Sequence, residues 1–205
     1  MKNNNLTLIN LNETYIESVE KIWLQTHLEN LKSIIGKNIV KKYLTKYFKN
    51  NKNKGFGLVD SHGLIAFVLF GKDSSIIKEI FLENIFFIFK SFFTNLIKLK
   101  INYVKSYINS FLFIFFSKKY EKILNTTDLE LLIISVNEKN QGNGLGSLLI
   151  RSVLKEKKKY LSMYKNIFVK TLKSTPLNIK FYQKNKFVFL KEIFGRMYLN
   201  IKLIE

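Results

Sequence analysis

One segment, residues 129–149, joins an apolar run of strand length to an apolar run of helical spacing through a turn that contains three glycines. Residues 130–136 are mainly aliphatic, and one short polar loop separates them from the glycines. The leucines that follow fall close to the i, i+3, i+4 spacing of one helix face; they are Leu145, Leu148, Leu149 and Leu154. The sequence therefore predicts a strand, a tight turn and a helix that packs back onto a sheet.

Such a turn is suited to binding an anion. The start of a helix presents backbone N–H groups that have no partner within the helix, together with the positive end of the helix dipole. Phosphate is a common ligand there, and glycines permit both its close approach and positive φ angles. The candidate residues are Gln141, Gly142, Asn143, Gly144, Leu145 and Gly146. A connection without any ligand is the alternative, because short glycine motifs also arise by chance.

Composition excludes several kinds of site. The chain has 205 residues, 47% of them hydrophobic, which suits one domain with its own core. It has no cysteine, so disulfides, a thiolate nucleophile and a thiolate metal site are excluded. The two histidines, His27 and His62, are far apart and lack clustered carboxylates, so no metal site is expected. Residues 1–15 lack the apolar core of a secretory signal, and we expect a cytoplasmic protein.

The net charge of +19 comes almost entirely from lysine, since Arg151 and Arg196 are the only arginines. A protein that reads bases, or that grips phosphate with paired N–H groups, would be expected to use more arginine. Nucleic-acid binding is therefore not expected. Attraction of an anionic cofactor or of a nucleotide-linked substrate is a milder use of the same positive field.

The rest of the chain predicts alternating strands and helices. Strands are predicted at 6–11, 56–60, 64–70, 130–136, 167–172, 187–193 and 197–203. Helices are predicted from Asn12 to about 26, at 37–49 after a break at Gly36, from 144 to about 160, and at 177–185. Thr175 is expected to cap the last helix through its hydroxyl, ahead of Pro176. His62 is expected in an exposed turn between the second and third strands.

Residues 74–128 are rich in phenylalanine and predict two apolar helices, about 76–99 and 102–116. The second contains about ten apolar residues, too few to cross a bilayer, and charged residues interrupt the first. Three roles stay open for this insertion. It could be a helical pair packed on the domain or on a second subunit, a lid over an acceptor pocket, or a surface at 76–116 that touches a membrane or a lipid-linked substrate.

Two parts of the chain resemble the GNAT superfamily of acyl-CoA-dependent N-acyltransferases. The strand at 130–136 with residues 141–146 is similar to the family's Gln/Arg-x-x-Gly-x-Gly/Ala signature. Residues 178–187 are similar to its later motif, Ala-x-x-Phe/Leu-Tyr-x-x-x-Gly-Phe. Together the two cover about residues 129–190. Lys186 replaces the usual glycine, which predicts a looser helix end or a left-handed lysine, and Thr175 replaces a common asparagine.

The resemblance implies an α/β (α+β) fold within one domain, residues 1–205. Its sheet would be mixed and mostly antiparallel, with a splayed pair of parallel strands, flanking helices and the helical insertion at about 74–128. Acetyl-CoA would lie between the parallel strands, and its pantetheine amides would bond to backbone near Ile134 and Val136. Its pyrophosphate would lie on the amides of residues 141–146, and Thr175 occupies a further cofactor-contacting position. No metal is implied.

The resemblance also implies a reaction in which a primary amine attacks the thioester directly. Tyr182 matches the tyrosine that serves as the acid for the leaving thiolate, and Glu130 matches a glutamate used as the base. Burial of Glu130 between leucines is expected to raise its pKa toward a useful value. An amino sugar of surface-polysaccharide biosynthesis is the first acceptor to consider. An antibiotic, a polyamine, a protein N-terminus, and a non-catalytic acyl-CoA-binding or membrane-associated scaffold are alternatives, and a homodimer is compatible with each.

Overall fold

The computed structural model describes residues 6–26, 34–71, 79–80, 82–83, 128–193 and 195–203. The chain divides into two compact units, Met1–Lys72 with Thr127–Glu205, and Asp73–Thr126. The helices predicted at 76–99 and 102–116 lie almost entirely outside the described residues. Their proposed roles, and the prediction of a single domain with an insertion, stay predictions.

The first unit is built on one sheet, which contains seven strands within the described residues, in the order β1-β2-β3-β4-β5-β7-β6. Among the strand pairs of the described residues, only that of β4 with β5 is parallel. The mixed, mostly antiparallel sheet predicted above is therefore confirmed. The strands are β1 Thr7–Leu11, β2 Lys54–Asp60, β3 Gly63–Gly71, β4 Asp128–Val136, β5 Asn166–Leu172, β6 Val188–Ile193 and β7 Arg196–Lys202.

The helices of this unit agree with the predicted pattern except at two boundaries. They are α1 Ile16–Thr26, α2 Ile34–Lys49, α3 Leu145–Lys155, α4 Lys157–Tyr160 and α5 Pro176–Lys184. The break predicted at Gly36 is wrong, because α2 already begins at Ile34. Gly36 lies in the first turn of α2, where backbone N–H groups have no partner within the helix. The helix predicted to run to about residue 160 is interrupted at Glu156, between α3 and α4.

One face of the sheet carries the main core, which α3 and α5 cover. Its central members are Leu129, Leu131, Leu149, Ile150, Val153, Ile167, Val169, Tyr182, Phe187 and Leu199. Because side chains alternate along a strand, Glu130 lies on the opposite face. There α1 contacts β3 and β4, and Thr26 Oγ1 lies 3.1 Å from Ser135 Oγ. At this position β4 therefore carries a charged side chain on one face, between the apolar core residues Leu129 and Leu131 on the other.

The parallel strands separate soon after they meet. β4 pairs with β5 from Asp128 to Leu131, and Leu131 opposite Val169 is the last paired position. Leu132 is then the extra residue of a β-bulge, because Leu69 and Phe70 of β3 pair with Ile133 and Leu131. From that point β4 follows β3 while β5 follows β7. The expected splay is therefore present, and it leaves a gap between the second halves of β4 and β5.

Helix α5 ends in a Schellman motif that has lysine at its left-handed position. The N–H of Phe187 donates to the carbonyl of Tyr182 at 3.1 Å, and the N–H of Lys186 donates to that of Gln183 at 3.0 Å. Lys186 has φ of 68°. Of the two alternatives predicted above, a looser helix end or a left-handed lysine, the structure has the left-handed lysine. The motif also brings the rings of Tyr182 and Phe187 together, with centroids 5.6 Å apart.

We expect Lys186→Gly to raise the free energy of unfolding by about 1 kcal/mol, because the left-handed conformation strains an L-residue and not glycine. Urea unfolding at neutral pH measures the difference. Lys180→Gly, on the exposed face of α5, is the matched control and should lower stability by about 1 kcal/mol. A Lys186→Gly protein no more stable than the wild type would contradict the expectation.

Candidate active site

The edge of β4 that faces the gap carries the backbone groups of Ile134 and Val136. The N–H of Asn137 donates to the carbonyl of Ile65 on β3 at 2.8 Å, so these two residues are a hydrogen-bonded position of the ladder. Bonding and non-bonding pairs alternate along an antiparallel ladder, which makes Val136 and Ile134 non-bonding positions toward β3. Their backbone N–H and C=O groups therefore point away from β3, toward the gap that opens beside β5.

The glycine turn places two residues in the left-handed region. Gly142 has φ of 78° and Gly144 has φ of 75°, and Gly144 is the N-cap of α3. The first helical bond runs from the N–H of Leu148 to the carbonyl of Gly144, at 3.0 Å. Within the described part of the chain, the amide groups of residues 142–147 donate no hydrogen bond. The turn thus presents a run of amides at the positive end of a helix, which is suited to phosphate.

Gly146 has a different role from its two neighbours. A Cβ atom added there would lie 3.2 Å from Cε2 of Phe181 and 3.8 Å from Cγ2 of Val136. The same atom at Gly142 or Gly144 would meet nothing within 4 Å. Gly146 therefore has a packing role that the sequence did not predict, and its contact with the cofactor stays a prediction. Gly146 allows α3, α5 and the end of β4 to pack closely, since a larger residue would collide with the Phe181 ring.

The polar residues of the turn shape it from within. Gln141 Nε2 donates to the carbonyl of Val136 at 3.0 Å, so its side chain ties the turn to the end of β4. Asn137 Oδ1 accepts from the N–H of Lys139 and caps the short 3-10 helix Glu138–Asn140. Asn143 is exposed, while Leu145 packs against the core. Gln141 is therefore engaged with the protein itself, whereas the glycine amides are not.

Thr175 lies where predicted but does not cap α5 with its hydroxyl. Thr175 is the N-cap and Pro176 follows it, yet no side-chain cap bond forms. Instead Thr175 Oγ1 donates to the carbonyl of Leu172 at 2.7 Å and lies 3.3 Å from Oγ1 of Thr171. The predicted hydroxyl cap is therefore wrong. The hydroxyl instead closes the turn after β5 by donating to the Leu172 carbonyl.

Tyr182 is buried, with 8% of its surface exposed, and belongs to the same core cluster as Leu131 and Val169, the last paired residues before the gap. The rings of Phe181 and Phe187 pack against it, with centroid distances of 5.2 and 5.6 Å. Burial raises the pKa of the Tyr182 phenol to about 12. Its hydroxyl therefore keeps its proton throughout the neutral and mildly alkaline range.

Glu130 forms an ion pair across the point where the strands part. Lys170 Nζ lies 2.9 Å from Glu130 Oε2, and the side chains are 8% and 13% exposed, respectively. Arg196 of β7 also lies close enough to interact with this carboxylate. From the sequence, burial was expected to be the main influence on the pKa of Glu130. The structure adds a cationic partner, the Lys170 ammonium, in direct contact with the carboxylate.

Lys170, Arg196 and Tyr198 were not anticipated from the sequence. Each is one polar residue in an alternating strand, and only the register of β5 against β7 brings them to Glu130. His62, by contrast, is exposed in the β2–β3 turn as predicted, and its N–H donates to Asp60 Oδ1 at 2.8 Å. His27 lies outside the described residues.

The energetic effect of burying the Glu130–Lys170 ion pair can be measured by comparison with an exposed ion pair that has the same N–O distance. Lys173 Nζ lies 2.9 Å from Glu192 Oε2, with side chains 65% and 39% exposed. We expect Glu130→Gln to lower the free energy of unfolding by about 3 kcal/mol, because it removes the carboxylate that pairs with the buried Lys170 ammonium. Glu192→Gln should cost less than about 1 kcal/mol. Urea unfolding measures both, and equal effects would show that Glu130 is effectively solvated.

Comparison with known proteins gives a match in structure but not in sequence. No family profile matches the chain, and no curated protein sequence matches it. A protein assigned to the GNAT acetyltransferase family of Desulfovibrio desulfuricans superposes with a TM-score of 0.59 at 9% identity, over 97% of this chain and 99% of that chain. These values indicate a shared fold at very low sequence similarity.

Two further solved structures match over a similar extent. The ribosomal-protein-S18-alanine N-acetyltransferase from Escherichia coli has a TM-score of 0.56 at 12% identity, covering 97% of this chain and 94% of that chain. A variant of the spermidine N-acetyltransferase SpeG from Vibrio cholerae has a TM-score of 0.56 at 14% identity, with the same coverage. With its parted β4–β5 pair and its glycine turn at the start of α3, this chain has the GNAT acetyltransferase fold.

Proposed function

We propose that the protein transfers an acyl group, in the first instance acetyl, from coenzyme A to a primary amine. The observation that carries the proposal is the continuous edge formed by the gap and the glycine turn. Backbone groups of Ile134 and Val136 face the gap, and the amides of residues 142–147 follow directly at the positive end of α3. An extended molecule with amides at one end and a pyrophosphate at the other has the matching order of groups.

These residues suit acetyl-CoA in the chemistry of their donors. The pantetheine amides would bond to the strand edge at Ile134 and Val136, and the pyrophosphate would lie on the amides of Gly142, Gly144 and their neighbours. Gln141 would hold the turn in place through Val136, and Thr175 would close the turn after β5. When bound, acetyl-CoA supplies the thioester carbonyl that the amine attacks.

Protons must move in two places during the transfer. As the new C–N bond forms, the amine nitrogen must lose a proton, and we assign its acceptance to Glu130, whose carboxylate lies 2.9 Å from the Lys170 ammonium. As the C–S bond breaks, the sulfur gains negative charge, and we assign the hydrogen-bond donor there to Tyr182. Both groups lie near the end of the β4–β5 ladder, Glu130 on one face and Tyr182 in the core on the other.

The raised pKa of Tyr182 limits how it can act. A free thiolate with a pKa near 8.5 is a weaker base than a phenolate with a pKa of about 12, so complete proton transfer is uphill by about 5 kcal/mol. The hydroxyl is therefore suited to share its proton with the sulfur as the bond breaks, rather than to release it in advance. The site must supply the alignment for this step.

The acceptor is the least constrained part of the proposal. The solved structures with this fold include enzymes named for a ribosomal-protein alanine and for spermidine, so the fold alone does not choose the amine. We propose an amino sugar as the first acceptor class to assay. Among the described residues, no helix is long and apolar enough to cross a membrane. Contact with a membrane through 76–116, a homodimer and a cytoplasmic location remain proposals.

The predicted position of the acetyl-CoA pyrophosphate can be tested by introducing a negative charge at Gly144, where an added side chain would have open space. We expect Gly144→Asp to weaken acetyl-CoA binding by about tenfold more than Gly144→Asn, because aspartate repels the pyrophosphate. Asparagine tolerates the left-handed backbone and has nearly the same shape, so it controls for strain. Isothermal titration measures both dissociation constants. Equal affinities for the two variants would place the pyrophosphate elsewhere, and absence of wild-type binding would reject the proposed function.

The role of Tyr182 can be tested with Tyr182→Phe, which keeps the ring contacts with Phe181 and Phe187. We expect kcat for thiol release to fall by about a hundredfold, with the KM for acetyl-CoA nearly unchanged. The raised pKa keeps the wild-type hydroxyl protonated well above pH 10, so the two proteins should show the same shape of pH–rate profile between pH 6 and 10. An alkaline decline present in the wild type and lost in Tyr182→Phe would contradict this assignment.

A further inference from the structure

A buried amide side chain joins the end of α5 to the start of α3. Asn185 is the C-cap of α5 and is 7% exposed. Its Nδ2 donates to the carbonyl of Phe181 at 2.8 Å and to Ser147 Oγ at 2.9 Å. Asn185 and Ser147 are 38 positions apart in sequence, so their bond is a tertiary contact between two helices. A buried amide is costly unless it is bonded, and here both N–H groups of the amide are used.

The chemistry of the neighbouring groups fixes the direction of the bond to Ser147. The Phe181 carbonyl can only accept, so the amide nitrogen of Asn185, and not its oxygen, must face it. The same nitrogen lies 2.9 Å from Ser147 Oγ, which therefore acts as the acceptor. A serine oxygen that accepts in this way keeps its own O–H as a donor. Within the described part of the chain, that O–H donates no hydrogen bond.

Ser147 lies in the first turn of α3, beside the amides of the glycine turn. Gly144 is the N-cap of this helix, which makes Ser147 the third helical residue. Because the Cα–Cβ bonds of a helix tilt toward its N-terminus, a side chain at this position is directed back toward the first turn. The Ser147 hydroxyl is therefore at the same helix end as the amides of residues 142–147.

We propose that Asn185 is a positioning residue of the acyl-CoA site, and that the Ser147 hydroxyl it holds is a side-chain donor to the pyrophosphate. Asn185 would direct the hydroxyl proton away from α5, because its own N–H occupies that side of Ser147 Oγ. The inference rests on the proposed function. It adds to that function a side-chain donor and the residue that orients this donor.

An amide at position 185 suits this role in a way that a carboxylate does not. A carboxylate there would accept the Ser147 proton and so would remove the donor from the turn. It would also face the Phe181 carbonyl and would add a negative charge near the site assigned to the pyrophosphate. Asn185→Asp is thus nearly the same shape as the wild type, but it reverses the bond to Ser147.

The same amide also fixes the helix that carries Tyr182. The N–H of Asn185 donates to the carbonyls of Phe181 and Tyr182 at 3.2 and 3.0 Å, which ends α5 at this residue. Gly146 lets the Phe181 ring approach α3 beside the polar contact. Substitution of Asn185 could therefore loosen the two helices for reasons unrelated to any ligand. A loss confined to ligands that carry the pyrophosphate separates the proposed role from this general effect.

The test compares two ligands, of which only one has phosphates. Acetyl-CoA carries the pyrophosphate, whereas S-acetyl-pantetheine lacks it but keeps the thioester and both amides. Calorimetry measures the Kd of the first, and a titration followed by NMR measures that of the second. We expect Ser147→Ala to weaken acetyl-CoA binding by about tenfold and S-acetyl-pantetheine binding by less than about twofold. Ser152→Ala removes a hydroxyl farther along α3 and should leave both affinities intact.

A double-mutant cycle tests the role of Asn185. We expect Asn185→Asp to weaken acetyl-CoA binding at least as much as Ser147→Ala does, with little effect on S-acetyl-pantetheine. In the Asn185→Asp protein, Ser147→Ala should cost less than about twofold, because the hydroxyl already donates to the carboxylate. Asn51→Asp makes the same charge change at an exposed position before β2 and is the control. Thermal unfolding verifies that each variant is folded.

The outcomes separate this inference from the proposed function. If the wild type binds acetyl-CoA but Ser147→Ala binds it equally well, or loses affinity for both ligands alike, the inference is wrong and the proposed function stands. That result needs no substitution at position 185, so it is decisive even if Asn185→Asp fails to fold. Full tenfold losses that multiply in the double variant would overturn the positioning role of Asn185. A wild type that does not bind acetyl-CoA would reject both the function and the inference.

Discussion

The end of parallel pairing at Leu131 and Val169 is the constraint on which the rest of the site depends. Up to that position β4 and β5 share a ladder, and beyond it each strand keeps only its antiparallel partner, β3 or β7. The sheet remains continuous around the gap, so the opening does not divide the core. Beyond Leu131, the backbone groups of Ile134 and Val136 that point away from β3 face the gap, where a ligand with its own amides can bond to them.

Several contacts keep this opening in place. The bulge at Leu132 changes the register of β4 against β3 just after the last paired position, and bulges increase the local twist of a strand. The missing side chain of Gly146 lets Phe181 lie close to the end of β4. On the other face the Glu130–Lys170 ion pair joins the two strands where they separate. The ion pair where the strands separate and the packing at the end of β4 thus flank the opening on its two sides.

The two faces of β4 also divide the chemistry. The core face contributes Tyr182, whose burial raises its pKa and keeps its hydroxyl neutral, next to the turn with its exposed amides. The opposite face contributes the Glu130–Lys170 ion pair, with Arg196 of β7 nearby. Because neutral donors and charged groups are separated by the sheet, each can be placed in an environment that suits its own protonation state.

The sequence by itself determined the elements and the glycine turn, because strand alternation, helical spacing and turn chemistry are properties of short stretches of chain. The left-handed position of Lys186 could likewise be read from its place after a helix. Local patterns did not predict that Gly146 serves Phe181, that the Thr175 hydroxyl bonds to Leu172, or that Glu130 meets Lys170 and Arg196. Glu130 and Lys170 are 40 residues apart in sequence, and only strand register brings them together. Register depends on how the whole core packs, and so the tertiary structure alone decided which charges share the site.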